Sequence, residues 1–177
     1  MSGIVLLAID ADLIRAARPP GDLKRHLGVP RGSPVEIARG AIEATAAMLL
    51  RAPRPAPWGG YLALEPDSGA VVGTCGFKDG PAPDGTVEIA YFTFPGFEAR
   101  GYATEMARRL VAIARGAPKP PRVVAHTRPE LGASARILEK LGLRCLGEVV
   151  DPEDGLVWRW ELDGAPEGGE PEKGVDA

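Results

Sequence analysis

Between Glu88 and Arg109 the chain runs from an alternating strand-like stretch, through Phe92-Thr93-Phe94-Pro95-Gly96 and Glu98-Ala99-Arg100-Gly101, into a helical pattern opened by Tyr102-Ala103-Thr104. A glycine loop that ends on a helix start presents backbone N–H groups with no intrahelical partner, and the helix dipole adds partial positive charge there. Residues without bulk let a phosphate approach that backbone, and Arg100 can add a charge-assisted contact. The chemistry this arrangement suits is the holding of a small polyanion. Tight turns at strand-helix junctions have the same composition, so the loop alone establishes an anion-binding turn and nothing finer.

Groups able to move protons are more scattered. Glu88 lies on the strand before the loop, His126 in the run Arg122 to Thr127, Ser134 near a helix start, and Glu148 and Asp151 at the end of a later apolar run. Each has a plain structural alternative: a strand carboxylate paired with an arginine, a core histidine with one hydrogen bond, a serine cap. Cys75 and Cys145 sit in apolar runs with no CxxC partner and no histidine at ligand spacing, so they read as reduced thiols and imply no metal site. Trp158 and Trp160 fall on one strand face, where packing is a commoner use than ligand stacking; Trp58 stands apart.

The elements that must position these groups follow from periodicity. Gly3 to Ile9 reads as a short strand, followed by helical pieces around Ala11 to Arg18 and Asp22 to Leu27. Ser33-Pro34-Val35-Glu36 has the form of a capping box, with Ser33 as cap and Pro34 at the first helical position. The helix it opens carries Val35, Ala38, Ile42, Thr45 and Leu49 on one face until Pro53, Pro55 and Pro57 break it. Three strands follow, Tyr61 to Glu65, Ala70 to Lys78 and Thr86 to Phe94, separated by turn clusters. A helix from Tyr102 to Arg115 with Met106, Leu110, Val111 and Ala114 inward leads to a strand at Arg122 to Thr127. A helix from Ala133 to Leu141, stopped by Gly142, precedes two closing strands, Leu143 to Val150 and Leu156 to Leu162. Strands, helix, strand, helix and hairpin place a parallel step inside a mostly antiparallel sheet, a mixed α/β architecture.

The chain has 177 residues, enough for one domain with its own core, and 45% hydrophobic with 25% charged residues is ordinary for a globular fold. The net charge of -3 resides in residues 164–177, which hold four acids and one base and leave 20 of each sign elsewhere. A neutral body argues against broad nucleic-acid binding. Apolar runs are too short for a membrane span, and the first ten residues lack the basic and cleavage features of a secretory signal. These readings predict a cytoplasmic domain at residues 1–163 and a disordered Gly/Pro/Glu-rich tail at 164–177.

Two motifs in order carry a resemblance. Glu98-Ala-Arg-Gly-Tyr-Ala103 resembles the GNAT pyrophosphate loop, Q/R-x-x-G-x-G/A, after a strand of the form EIGYxxxP. Thr127-Arg-Pro-Glu-Leu-Gly-Ala-Ser134-Ala-Arg-Ile-Leu-Glu-Lys-Leu-Gly142-Leu resembles the T-x-P-E-N-x-A-S-x-R-V-L-E-K-L-G-F signature of the ribosomal-protein N-acetyltransferase (RimJ/RimL) branch. The likeness spans roughly residues 60–162. Three positions depart from it: Glu98 replaces the usual Gln/Arg beside the phosphates, Leu131 the usual Asn, and Leu138 a Tyr that many members use to protonate the departing thiolate and that this branch generally lacks.

The resemblance implies a GNAT fold, a mixed, mostly antiparallel sheet of six to seven strands with about four helices. It implies acetyl-CoA as donor, held by Glu98, Ala99, Arg100, Gly101, Tyr102, Ala103 and Thr104. It implies direct attack by a primary amine, a protein N-terminus or a small molecule, on the thioester, whose oxygen is met by backbone N–H groups at Phe92, Thr93 and Phe94. The amine needs a general base. Glu88 is the first candidate, with Glu148 and Asp151 behind it, and Ser134 is the candidate donor to the thiolate, with the Tyr102 hydroxyl as an outside alternative. A weakly catalytic acyl-CoA-binding regulatory module of the same fold stays open as an alternative, as does a homodimer.

Overall fold

The computed structural model describes residues 3–19, 21–29 and 34–162. The strands β1 (Val5–Ala8), β2 (Gly60–Leu64), β3 (Val71–Phe77), β4 (Thr86–Thr93), β5 (Arg122–Thr127), β6 (Arg144–Asp151) and β7 (Gly155–Leu162) form one sheet in the order β1-β2-β3-β4-β5-β7-β6. Every neighbouring pair is antiparallel except β4 and β5. A parallel pair needs a crossover, supplied by α4 (Tyr102–Arg115). The other helices are α1 (Ala11–Ala17), α2 (Leu23–Leu27), α3 (Val35–Arg51) and α5 (Ala133–Lys140), five where about four were expected.

Each face of the sheet carries its own core. On one, Met106, Ala107, Leu110 and Ala114 of α4, and Ala135 and Leu138 of α5, pack on Cys75, Phe77, Val87, Ile89, Val123, Ala125 and Trp160. Gly73 of β3 is required there, because a side chain would meet the Phe92 carbonyl at 2.5 Å and the Met106 methyl at 2.9 Å. On the other face, Leu13, Ala17, Leu23, Val35, Ala38 and Ile42 of α1 to α3 cover Leu62, Val71 and Phe94. The tryptophans pack: Trp160 is buried with its indole N–H on Thr127 Oγ1 at 3.0 Å, Trp158 leans on it, and Trp58 meets Phe77 edge-on.

Local sequence signals account for several boundaries. At the end of α5, Gly142 takes φ 84°, its N–H bonds the Glu139 carbonyl, and the Leu143 N–H bonds the Leu138 carbonyl, a Schellman closure. The start of α3 departs from the expected capping box. Pro34 is the cap residue, not the first helical one, no side chain among the described residues caps that end, and Glu36 pairs forward with Arg39. The expected cap, Ser33, and the acidic tail lie outside the described residues. Thr45 and Leu49, expected to join the α3 core face, instead line a cavity, and Ala46 takes the buried place.

The feature that positions the site is a register that stops. β4 and β5 pair only at Thr86 with Arg122, Val87 with Val123 and Glu88 with Val124. Beyond Glu88, β4 stays on β3 as far as Thr93, and β5 stays on β7 as far as Thr127. A wedge therefore opens between the carboxyl ends of the parallel pair, the place where an α/β sheet exposes strand-edge groups to a ligand. The β4–α4 loop leaves from the same end.

Candidate active site at the parting of two strands

The loop at the mouth of the wedge depends on left-handed backbone. Gly96 has φ 88°, Ala99 φ 59° and Gly101, the cap residue of α4, φ 86°. Only glycine adopts such values without steric cost, and the space beside Gly101 is open. The first helical bond runs from the Glu105 N–H to the Gly101 carbonyl, so the N–H groups of Tyr102, Ala103 and Thr104 face out of the helix mouth. Arg100 places its guanidinium 5.5 Å from the centre of the Phe97 ring. Glu98 turns back to accept the Gly96 N–H at 2.6 Å, so its carboxylate fastens the loop.

Two expectations here need correcting. The Tyr102 ring is buried and its hydroxyl donates to the Glu65 carboxylate, so that hydroxyl is committed to the core side of the loop and unsuited to act as an acid. Glu65 is held below its usual pKa by Ser68 first and by Tyr102 next. The Phe94 N–H donates to the Val72 carbonyl at 2.9 Å and its ring is buried, which removes it from the expected thioester donors. Phe92, paired with Thr74 in the same alternation, likewise turns its N–H to β3, and Thr93 keeps its N–H on the wedge edge of β4.

At the apex, Glu88 Oε1 lies 2.9 Å from Lys78 Nζ and 3.0 Å from His126 Nδ1, with the Glu88 side chain 20% exposed. The His126 contact is within ion-pair reach but misaligned for a hydrogen bond, so Nδ1 is buried without one. Strand register explains the grouping, because Glu88 pairs with Val124, two residues before His126 on the same face. Lys78 also reaches Asp154 Oδ2 at 3.3 Å. Burial works against its ammonium, yet Glu88 and then Asp154 outweigh it and its pKa is raised.

The other carboxylates are placed elsewhere. Asp151 accepts the N–H groups of Glu153 and Asp154 at 2.8 and 2.9 Å, and these bonds, that of Asp154 first, hold its pKa below the ordinary value. It caps a turn and is a poor base. Glu148 is exposed and stands opposite Trp158, whereas His126 stands opposite Arg159, so Glu148 is on the other face of the sheet.

On the α5 side of the wedge, the Tyr91 hydroxyl is buried, and burial pushes its pKa up to about 12 while Ser134 works the other way. Ser134 interacts with that hydroxyl without closing a well-formed hydrogen bond. It is the second residue of α5, is exposed, and does not cap the helix, whose cap residue is Gly132. Leu138 is fully buried in the core, and Leu131 is exposed. Among the described residues four buried side-chain polar atoms make no well-formed hydrogen bond, and three of them, Tyr91 OH, Thr93 Oγ1 and His126 Nδ1, belong to the strand segments that border the wedge. Each such group costs about 1–3 kcal/mol unless something meets it, so these segments fit a ligand with polar atoms along its length.

A cavity of about 260 Å³ lies between α3 and the other face of β3 and β4, the face of Glu88, with Ala44, Met48, Thr74, Ala90 and Phe92 in its wall and Arg54 and Lys78 at one end. Sequence reasoning brought Glu88 and the loop to light but missed Lys78, Tyr91, Arg54 and this cavity. Alternation from Glu88 would have put Ala90 and Phe92 beside it, whereas no sequence signal ties Arg54, in a proline-rich connection, to the end of β3.

A sequence model of the acetyltransferase (GNAT) domain matches residues 7–144. No curated protein matches the chain. Among solved structures it is similar to a GNAT-family acetyltransferase from Bacillus anthracis, at 18% identity and TM-score 0.60, covering 92% of this chain and 96% of that one. It is similar to the ribosomal-protein alpha-N acetyltransferase RimL in complex with coenzyme A, at 14% and 0.62, covering 93% and 96%. A spermidine N-acetyltransferase chimera of Vibrio cholerae and hSSAT gives 12% and 0.62, covering 91% and 95%. These likenesses agree on the fold and divide on the acceptor. The family match spans most of the chain, and the protein belongs to the GNAT acetyltransferases, enzymes that transfer acetyl groups.

Proposed function

We propose that the chain moves the acetyl group of acetyl-CoA to a primary amine by direct attack at the apex of the wedge. The observation that carries this reading is the end of β4–β5 pairing at Glu88, with a helix mouth at one end of the opening and unpartnered polar groups along it. Acetyl-CoA would supply the activated thioester. The Arg100 to Thr104 loop receives the pyrophosphate on backbone N–H groups and the Arg100 charge. The Thr93 N–H, on the strand edge turned away from β3, faces the thioester oxygen, already oriented where negative charge develops.

Glu88 takes the proton from the acceptor ammonium, directly or through one water. Its oxygen is shared by Lys78 on the cavity side and His126 on the wedge side, so the carboxylate stands between acceptor and donor. On the far side Ser134, exposed and next to the neutral Tyr91 phenol, is placed to hydrogen-bond and protonate the leaving thiolate. The Thr127 to Gly142 signature supports a place near the RimJ/RimL branch, and a cytoplasmic setting goes with an acetyl-CoA donor. Among the described residues no helix is long and apolar enough to cross a membrane.

Thiol release from acetyl-CoA, followed across a panel of small amines and N-terminal peptides alongside acetyl-CoA titration, tests the reading. It expects tight donor binding and amine-dependent release with the N-acetyl product. Binding with no release on any amine would mark a regulatory module instead, and no binding would remove the donor site.

A further inference from the structure

The neighbouring folds include both a protein N-terminal acetylator and a polyamine acetylator at the same TM-score, so the acceptor must be read from this chain's own walls. The cavity under α3 is the place to read it, because Ala90 and Phe92 in its wall alternate in step with Glu88, and Lys78, bonded to Glu88, is in its lining. Its charged lining residues are Arg54 and Lys78, with no carboxylate in the wall itself. Arg54 is 7% exposed, its NH1 donates to the carbonyls of Phe77 and Lys78, and its Nε is buried without a partner. Its guanidinium reaches the exposed Asp79 only at 3.4 Å. Both cations thus gather at the Glu88 end, and the remainder of the cavity, toward Met48 and Phe92, is apolar.

We propose that the acceptor is a free α-amino acid with a compact apolar side chain, bound with its amine at Glu88, its carboxylate at the Arg54–Lys78 end and its side chain in the cavity. Amine and carboxylate leave one carbon, which matches a base and two cations grouped at one end. The carboxylates beside these cations, Glu88, Asp154 and Asp79, are not among the lining residues, so a polyamine's second ammonium, reaching on toward Met48 and Phe92, meets an apolar wall with no acid to pair it. A peptide N-terminus supplies a neutral carbonyl where the cations sit and must lead a chain out of the cavity. This inference rests on the amine-acetyltransferase reading above.

Its test is the specificity constant for thiol release with leucine, methionine and phenylalanine, with the same molecules lacking the carboxylate, with spermidine, and with N-terminal peptides. The amino acids should exceed their decarboxylated counterparts by about 10-fold or more, and spermidine by about 100-fold. Ala44→Trp, which fills the cavity from an exposed position on α3, should raise KM for the amino acid about 10-fold while the acetyl-CoA Kd stays put. Arg54→Lys should erase most of the preference for the carboxylate, with circular dichroism confirming the fold. Spermidine or a peptide as the best acceptor, or an unchanged amino-acid KM in Ala44→Trp, would overturn the pocket assignment alone. Donor binding with no turnover on any amine defeats the underlying reading as well.

Discussion

The proposed donor side and the proposed acceptor side of this molecule are built from different materials. The donor side uses backbone: a left-handed glycine at the head of α4, free N–H groups, and two strands that stop pairing after Glu88. The proposed acceptor side uses side chains brought from three places, Arg54 before β2, Lys78 after β3 and Glu88 on β4, with His126 of β5 against Glu88 from the wedge side. A backbone site needs a short run of residues in one conformation and leaves its side chains free for other work, and Glu98 accordingly fastens the loop through the Gly96 N–H. A side-chain site can be changed one residue at a time while the fold holds. The difference explains how one fold can keep its donor while its acceptors diverge.

The largest effect expected is on the acceptor side. Glu88→Gln keeps shape and removes the proposed base, so kcat/KM for the amine should fall by about 10²–10⁴ while the acetyl-CoA Kd stays within about twofold. Full activity retained over a pH series would place the base elsewhere and break the comparison at its strongest point.

The wall between the two sides gives the next effect. Burial pushes the Cys75 thiol from 9.0 up to about 12, and the Tyr91 phenol from 10.0 up to about 12. Both are neutral in the fold at pH values where the unfolded chain has begun to lose those protons, so stability is full below pH 9 and declines as pH rises from 9 to 12. Cys75 alone contributes a loss on the order of 2 kcal/mol by about pH 10.5. Urea unfolding of Cys75→Ala should show a drop between about pH 8 and 10.5 that is smaller by that amount; equal drops in both proteins would mean the thiol is not shielded.

Donor-side changes should be smaller and confined to binding. Gly101→Val forces a branched side chain into φ 86°, a strain of about 1–2 kcal/mol that disorders the helix mouth. Calorimetry should find the acetyl-CoA Kd raised about 10-fold with kcat at saturation little changed. Arg100→Ala should weaken binding about threefold, with a flatter salt dependence, because the guanidinium is exposed and screened. A 100-fold loss there would mean that a side chain, not the backbone, holds the phosphates.

The same division governs what the sequence made legible. The succession of strands and helices, the inward face of α4, the Gly142 stop and the glycine loop before α4 lie in contiguous runs whose periodicity or turn chemistry is local, and they appear where the sequence predicts them. Glu88 could be named because it heads the same run. Lys78 and His126 became its neighbours only through the register of β4 with β3 and β5, and Arg54 through the path of a proline-rich connection, none of which leaves a local mark. Phe94 and Tyr102 show the reverse error. Each stands in the right motif, yet one has its N–H on Val72 and the other its hydroxyl on Glu65, partners 22 and 37 residues away. Asp151 carried the composition of a base and the local geometry of a turn cap.

The most direct test is a crystal structure with bound acetyl-CoA. The account predicts the pyrophosphate on the N–H groups of the Arg100 to Thr104 loop, the pantetheine arm between β4 and β5, and the thioester carbon within one water of the Glu88 carboxylate. A thioester lying outside the wedge, or separated from Glu88 by the sheet, would contradict it.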